Sequence, residues 1–143
     1  MKTILNKSIF TSLLMVAISA TASSISFNIE GVNSNNGKLF VALYKGEEGY
    51  ESGNPVKYDA IPAKEGTVSV IFNDVEQGEY AIQVFHDENN DGKMGKNFIG
   101  MPTEGYGFSN NAQPNYGPAS YNDMKFTVEK AGTTVNNNTT LIY

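Results

Sequence analysis

Apolar residues recur at every second position through most of the chain, and nowhere at the spacing of a convincing helical stripe. Ile25, Phe27 and Ile29 alternate with Ser26, Asn28 and Glu30, the period of a strand with one buried and one wet face. Residues 67–72 (TVSVIF) and 79–86 (EYAIQVFH) repeat it. Residues 38–45 (KLFVALYK) are apolar on both faces, which marks a central strand. Residues 56–61, stopped by Pro62, read as a short edge strand. Residues 121–128 (YNDMKFTV) and 133–143 read as the last two strands. Turn formers separate these runs: 33–37 (NSNNG), where Asn36-Gly37 is a hairpin signal, then a loop over 46–55, Asp74 and Gly78, and Ala131-Gly132. About seven short strands with such turns predict an all-β sandwich rather than βαβ units.

Two stretches break the pattern. The first is residues 1–22. Lys2 and Lys7 precede a short apolar run, 9–18 (IFTSLLMVAI), and Ala20-Thr21-Ala22 places small residues where a signal peptidase cuts. The run is well short of the ~20 residues that span a bilayer. The expectation is a signal peptide over 1–22 and a single sandwich domain over 23–143, periplasmic or secreted, with no membrane span after cleavage. Losing Lys2 and Lys7 takes the formal charge from −5 to −7. Such a surface argues against nucleic acid and anionic lipid as partners, since both need clustered Lys and Arg. There is no cysteine, so neither disulfides nor thiol chemistry contribute.

The second stretch is the long loop after the strand at 79–86, beginning HDENNDGKMGK. Asp87, Asn89, Asp91 and Gly92 match the first half of an EF-hand-type loop, D-x-N-x-D-G. Calcium takes six to eight oxygens, and alternating acid and amide side chains aim theirs at one point, with the Lys93 carbonyl next in line. The twelfth position is Phe98 rather than a bidentate Glu, so this is not an EF-hand. Two readings compete: a structural calcium site on Asp87, Asn89, Asp91 and Lys93, or a solvated acidic turn.

Residues 84–112, VFHDENNDGKMGKNFIGMPTEGYGFSNNA, resemble a bacterial family of exported proteins, domain of unknown function 2141. The likeness rests on the strand ending Phe85-His86-Asp87, on Gly100-Met101-Pro102, and above all on Glu104-Gly105-Tyr106-Gly107-Phe108-Ser109-Asn110. It extends over nearly the whole chain after the leader. Members often carry an acid where this chain has Gly95, so a ninth-position ligand is missing here. The resemblance implies an antiparallel sandwich of immunoglobulin or transthyretin kind in the cell envelope, and no activity.

Candidate ligand-binding residues are His86, Glu104, Tyr106, Phe108 and Asn110. His86, the one histidine, shares a strand face with Tyr80, Ile82 and Val84. It reads either as a base or ligand, or as a strand-end residue bonded to a loop carbonyl. One histidine and no cysteine cannot assemble a nucleophilic triad or a zinc site. Tyr106 and Phe108 read either as rings that stack on a carbohydrate or anchor an envelope protein, or as a loop packing its own aromatics. The expected function is a non-enzymatic binding or structural module, monomeric, with a calcium-type loop. The alternative is a cell-envelope enzyme acting on polysaccharide through carboxylates such as Glu104 with Asp87 or Glu88.

Overall fold

A computed structural model describes residues 21–143. The expected leader falls outside them apart from Thr21 and Ala22. Among the described residues eight strands form two sheets. In the three-stranded sheet β1 (Ser23–Val32) is central. It runs antiparallel to β4 (Gly66–Val75) and parallel to β8 (Thr134–Thr140). In the larger sheet β2 (Lys38–Lys45) lies between β3 (Lys57–Pro62) and β5 (Gly78–Asp87). The far edge of β5 is shared by β7 (Phe126–Val128) at its start and β6 (Tyr106–Phe108) at its end.

The sheets bury one core between them. Ile25, Phe27 and Ile29 of β1 join Leu39, Val41 and Leu43 of β2 and Ile82 and Val84 of β5, all fully buried. Each such side chain stabilises the fold by about 1.5–3 kcal/mol. The alternation read in the sequence is this inner face. Residues of β2 and β5 that point the other way, Phe40, Ala42, Tyr44, Gln83 and Phe85, are only half-buried. They form the outer face of the larger sheet.

Five expectations need correction. Asn36-Gly37 closes no hairpin, because β1 and β2 belong to different sheets. Gly37 is needed for another reason: its φ is +70°, and a Cβ there would sit 1.8 Å from the Asp87 carbonyl oxygen. Within 46–55 lies a short helix, α1 (Gly46–Glu51). The strand expected over 121–128 is instead a helical turn, α2 (Tyr121–Met124), followed by β7. Ser120 caps that turn, its hydroxyl accepting from the Asp123 amide at 3.3 Å and donating to the Asp123 carboxylate at 2.6 Å. An N-cap serine of this kind favours helix over strand. The pairing is not wholly antiparallel, since β1 and β8 run the same way. An eighth strand, β6, lies within the long loop. Among the described residues no helix is long and apolar enough to cross a membrane.

Candidate functional site

The long loop starts at the buried end of β5, and its carboxylates organise its backbone. Asp87, 1% exposed, accepts the Asp91 amide at 3.1 Å on one oxygen and the Gly92 amide at 2.9 Å on the other. Asn89 Oδ1 also accepts from the Asp91 amide at 3.0 Å, and Asp91 Oδ1 accepts from the Lys93 amide at 2.9 Å. Glu104, from the far end of the loop, accepts the amides of Glu88 at 3.0 Å and Gly95 at 2.8 Å. A Cβ at Gly95 would come within 2.6 Å of the Thr103 hydroxyl, so glycine there lets the two limbs of the loop close. Among the described residues no three His, Cys, Asp or Glu side chains gather as a metal-binding group. Asp87, Asn89 and Asp91 do stand on one turn, where their side-chain oxygens accept its backbone amides, and such oxygens are donors of the hard kind calcium takes.

His86 is fully buried on the inner side of the sheet. Its Nε2 lies 2.7 Å from the Asn36 carbonyl and its Nδ1 2.8 Å from the Tyr143 hydroxyl. A carbonyl can only accept, so Nε2 carries the proton and Nδ1 accepts from Tyr143. That hydroxyl in turn accepts the Asn33 amide at 3.1 Å. The histidine thus ties β5 to a turn and to Tyr143.

The run Glu104 to Asn110 is a packing device residue by residue. A Cβ on Gly105 would lie 2.4 Å from the Tyr143 ring, and one on Gly107 would lie 2.5 Å from the Thr139 hydroxyl. The Phe108 ring is buried with Ala81, Tyr121 and Met124 in a second cluster. Ser109 is fully buried; its hydroxyl accepts the Ile82 amide at 2.9 Å and donates to the Met124 carbonyl at 2.7 Å. Asn110 takes a positive φ and donates from its side-chain amide to the carbonyls of Asp123 and Lys125. Of the candidate ligand residues, His86, Glu104 and Asn110 hold structure together, while Tyr106 and Phe108 line a cavity.

That cavity, ≈ 820 Å³, lies on the outer face of the larger sheet. Its floor is an aromatic row across three strands. Phe40 pairs with Phe85, their rings stacked at 5.0 Å, and Tyr58 stacks on Phe40 at 5.7 Å. Met94, Lys96, Ile99 and Met101 from the long loop form one wall. Pro114, Tyr116 and Pro118 form the other. Among the described residues Lys96 is the one charged residue on the lining. Burial pushes the hydroxyls of Tyr44 and Tyr58 above their ordinary pKa, with the charge of Asp87 adding to the rise at Tyr58. Both stay neutral at physiological pH.

Sequence reasoning centred on the acidic turn and missed this floor. The signal for it was the doubly apolar β2: its second apolar face is not covered by protein core but by the two loop walls. A cavity of this size, mostly apolar with a few polar groups, is of the kind that holds small ligands.

No curated protein and no solved structure matches the chain. A family model does, over residues 27–136, and its description is an uncharacterized protein conserved in bacteria, domain of unknown function 2141. The matched span runs from within β1 to within β8 and holds both the acidic loop and every residue of the cavity. The chain therefore belongs to the bacterial family known as domain of unknown function 2141.

Proposed function

We propose that the protein is a non-enzymatic, exported binding module that holds a largely apolar small ligand on the outer face of its larger sheet. The observation that carries this reading is the ≈ 820 Å³ cavity with its floor of Phe40, Phe85 and Tyr58. Few hydrogen-bonding groups line it: Gln83, Lys96 and tyrosine hydroxyls. That supports an apolar occupant over an oligosaccharide, whose hydroxyls would need many partners. Asp87 and Glu104 each accept two backbone amides and neither lines the cavity, which weighs against carboxylate catalysis. In the same reading calcium binds at Asp87, Asn89, Asp91 and Lys93 and stiffens the wall that Met94 and Ile99 build. The sandwich is then of immunoglobulin or transthyretin kind, supported by short strands in two sheets around one core.

The test is fluorescence titration with N-phenyl-1-naphthylamine, a neutral apolar probe that brightens on leaving water. Wild type is expected to bind it saturably, one per chain. Ala42→Trp fills the floor with a ring on a strand position that tolerates one. It is expected to abolish binding while leaving the melting temperature within a few degrees. Equal binding by both proteins, or none by wild type, overturns the reading.

A further inference from the structure

We infer that the cavity takes a single-chain amphiphile with an anionic head, the chain lying along the aromatic floor and the head meeting Lys96. This rests on the binding function proposed above and narrows it. The chain formally carries 10 basic against 15 acidic residues, so an anion approaching at random is repelled. Yet among the described residues no acidic one lines the cavity, and the single charge on its lining is positive. The two ion pairs among the described residues use Lys45 and Lys125, and the Lys96 ammonium has no such partner.

Position suits a head group as well. Lys96 is exposed, at a short bridge to Pro102 on the loop wall, so its ammonium stays in water beside the opening. The apolar lip around it is exposed too: Ile99 is 68% and Met101 55% accessible. An acyl chain covering these side chains removes apolar surface from water, while a flat polar ligand would leave it wet. A charge at the rim with an apolar trough behind it is the pattern that orients an amphiphile: the trough supplies affinity and the charge supplies polarity of insertion.

Competition against bound N-phenyl-1-naphthylamine tests this. Dodecanoate, dodecyl phosphate, dodecanol and dodecylamine are compared on wild type, Lys96→Gln and Lys96→Glu at low salt. Both anions are expected to displace the probe about 2- to 5-fold better than the alcohol, and the amine worst of all. Their ratio tells a carboxylate-headed from a phosphate-headed source. Lys96→Gln is expected to erase the gap between anion and alcohol without changing the alcohol, and Lys96→Glu to reverse the order of anion and amine. Shortening the chain is expected to weaken displacement about three- to fourfold per methylene. If the probe binds but the alcohol competes as well as the anions, or the gap survives Lys96→Gln, the anionic amphiphile is refuted and the binding module stands. If the probe itself does not bind, the fault lies in the underlying reading.

Discussion

Carboxylates decide the shape of the long loop at the scale of single residues. Asp87 is buried, and its two oxygens receive the Gly92 amide, which has no other acceptor among the described residues, and the Asp91 amide, which it shares with Asn89. Asp87→Ala is therefore expected to cost about 1–3 kcal/mol, read as a lower denaturation midpoint, with or without calcium. Each oxygen keeps a second lone pair, so amide bonds and an ion are compatible on the same side chain. If calcium binds the folded state alone, a tenfold excess over its dissociation constant adds about 1.4 kcal/mol, or about 3–6 °C in a chain of this size. Magnesium is expected to do much less, and Asp87→Ala to lose the calcium increment. A wild-type melt that calcium moves no further than magnesium leaves the loop as an acidic turn.

The element on which both loop limbs depend is β5. Its inner edge pairs with β2 along its length. Its outer edge is completed piecemeal: β7 at Gly78–Tyr80, the Ser109 hydroxyl at Ile82, β6 at Gln83–Phe85, and the Gly105 carbonyl at His86. Ser109→Ala leaves a buried amide and a buried carbonyl without their shared partner, an expected loss of about 1–3 kcal/mol. Urea unfolding should show it as a lower midpoint at unchanged slope. A wild-type midpoint would mean that the hydroxyl does not bridge β5 to α2.

The long strands could be read from alternation because one face of each meets a core and the other does not. The pieces on the outer edge of β5 could not. A three-residue strand, Tyr106-Gly107-Phe108, is too short to show a period, and the glycines before and within it, Gly105 and Gly107, report close neighbours, Tyr143 and Thr139, that are remote in sequence. At 121–128 the N-cap Ser120, bonded to Asp123, is the stronger local signal, and reading the segment as one strand overlooks it. The specific run from Glu104 to Asn110, which first reads as a recognition surface, mostly holds β5, α2 and β8 together.

The whole molecule is a sandwich with an additional layer. Two sheets share a core, and the larger sheet turns a second apolar face outward, onto which the long loop and the 113–118 segment fold without filling the space. The acidic turn was legible because its acid and amide residues lie within one short run of sequence. The cavity was not, because its floor joins Phe40, Tyr58 and Phe85 from three strands, and only sheet register brings them together. The most direct measurement is of backbone amide resonances during titration with N-phenyl-1-naphthylamine. Saturable shifts are expected at Phe40, Ala42, Gln83, Phe85 and Met101, with Ser26, Asn28 and Ser69 of the other sheet unmoved. Shifts centred on that other sheet, or none at saturating probe, would contradict an outer-face binding site.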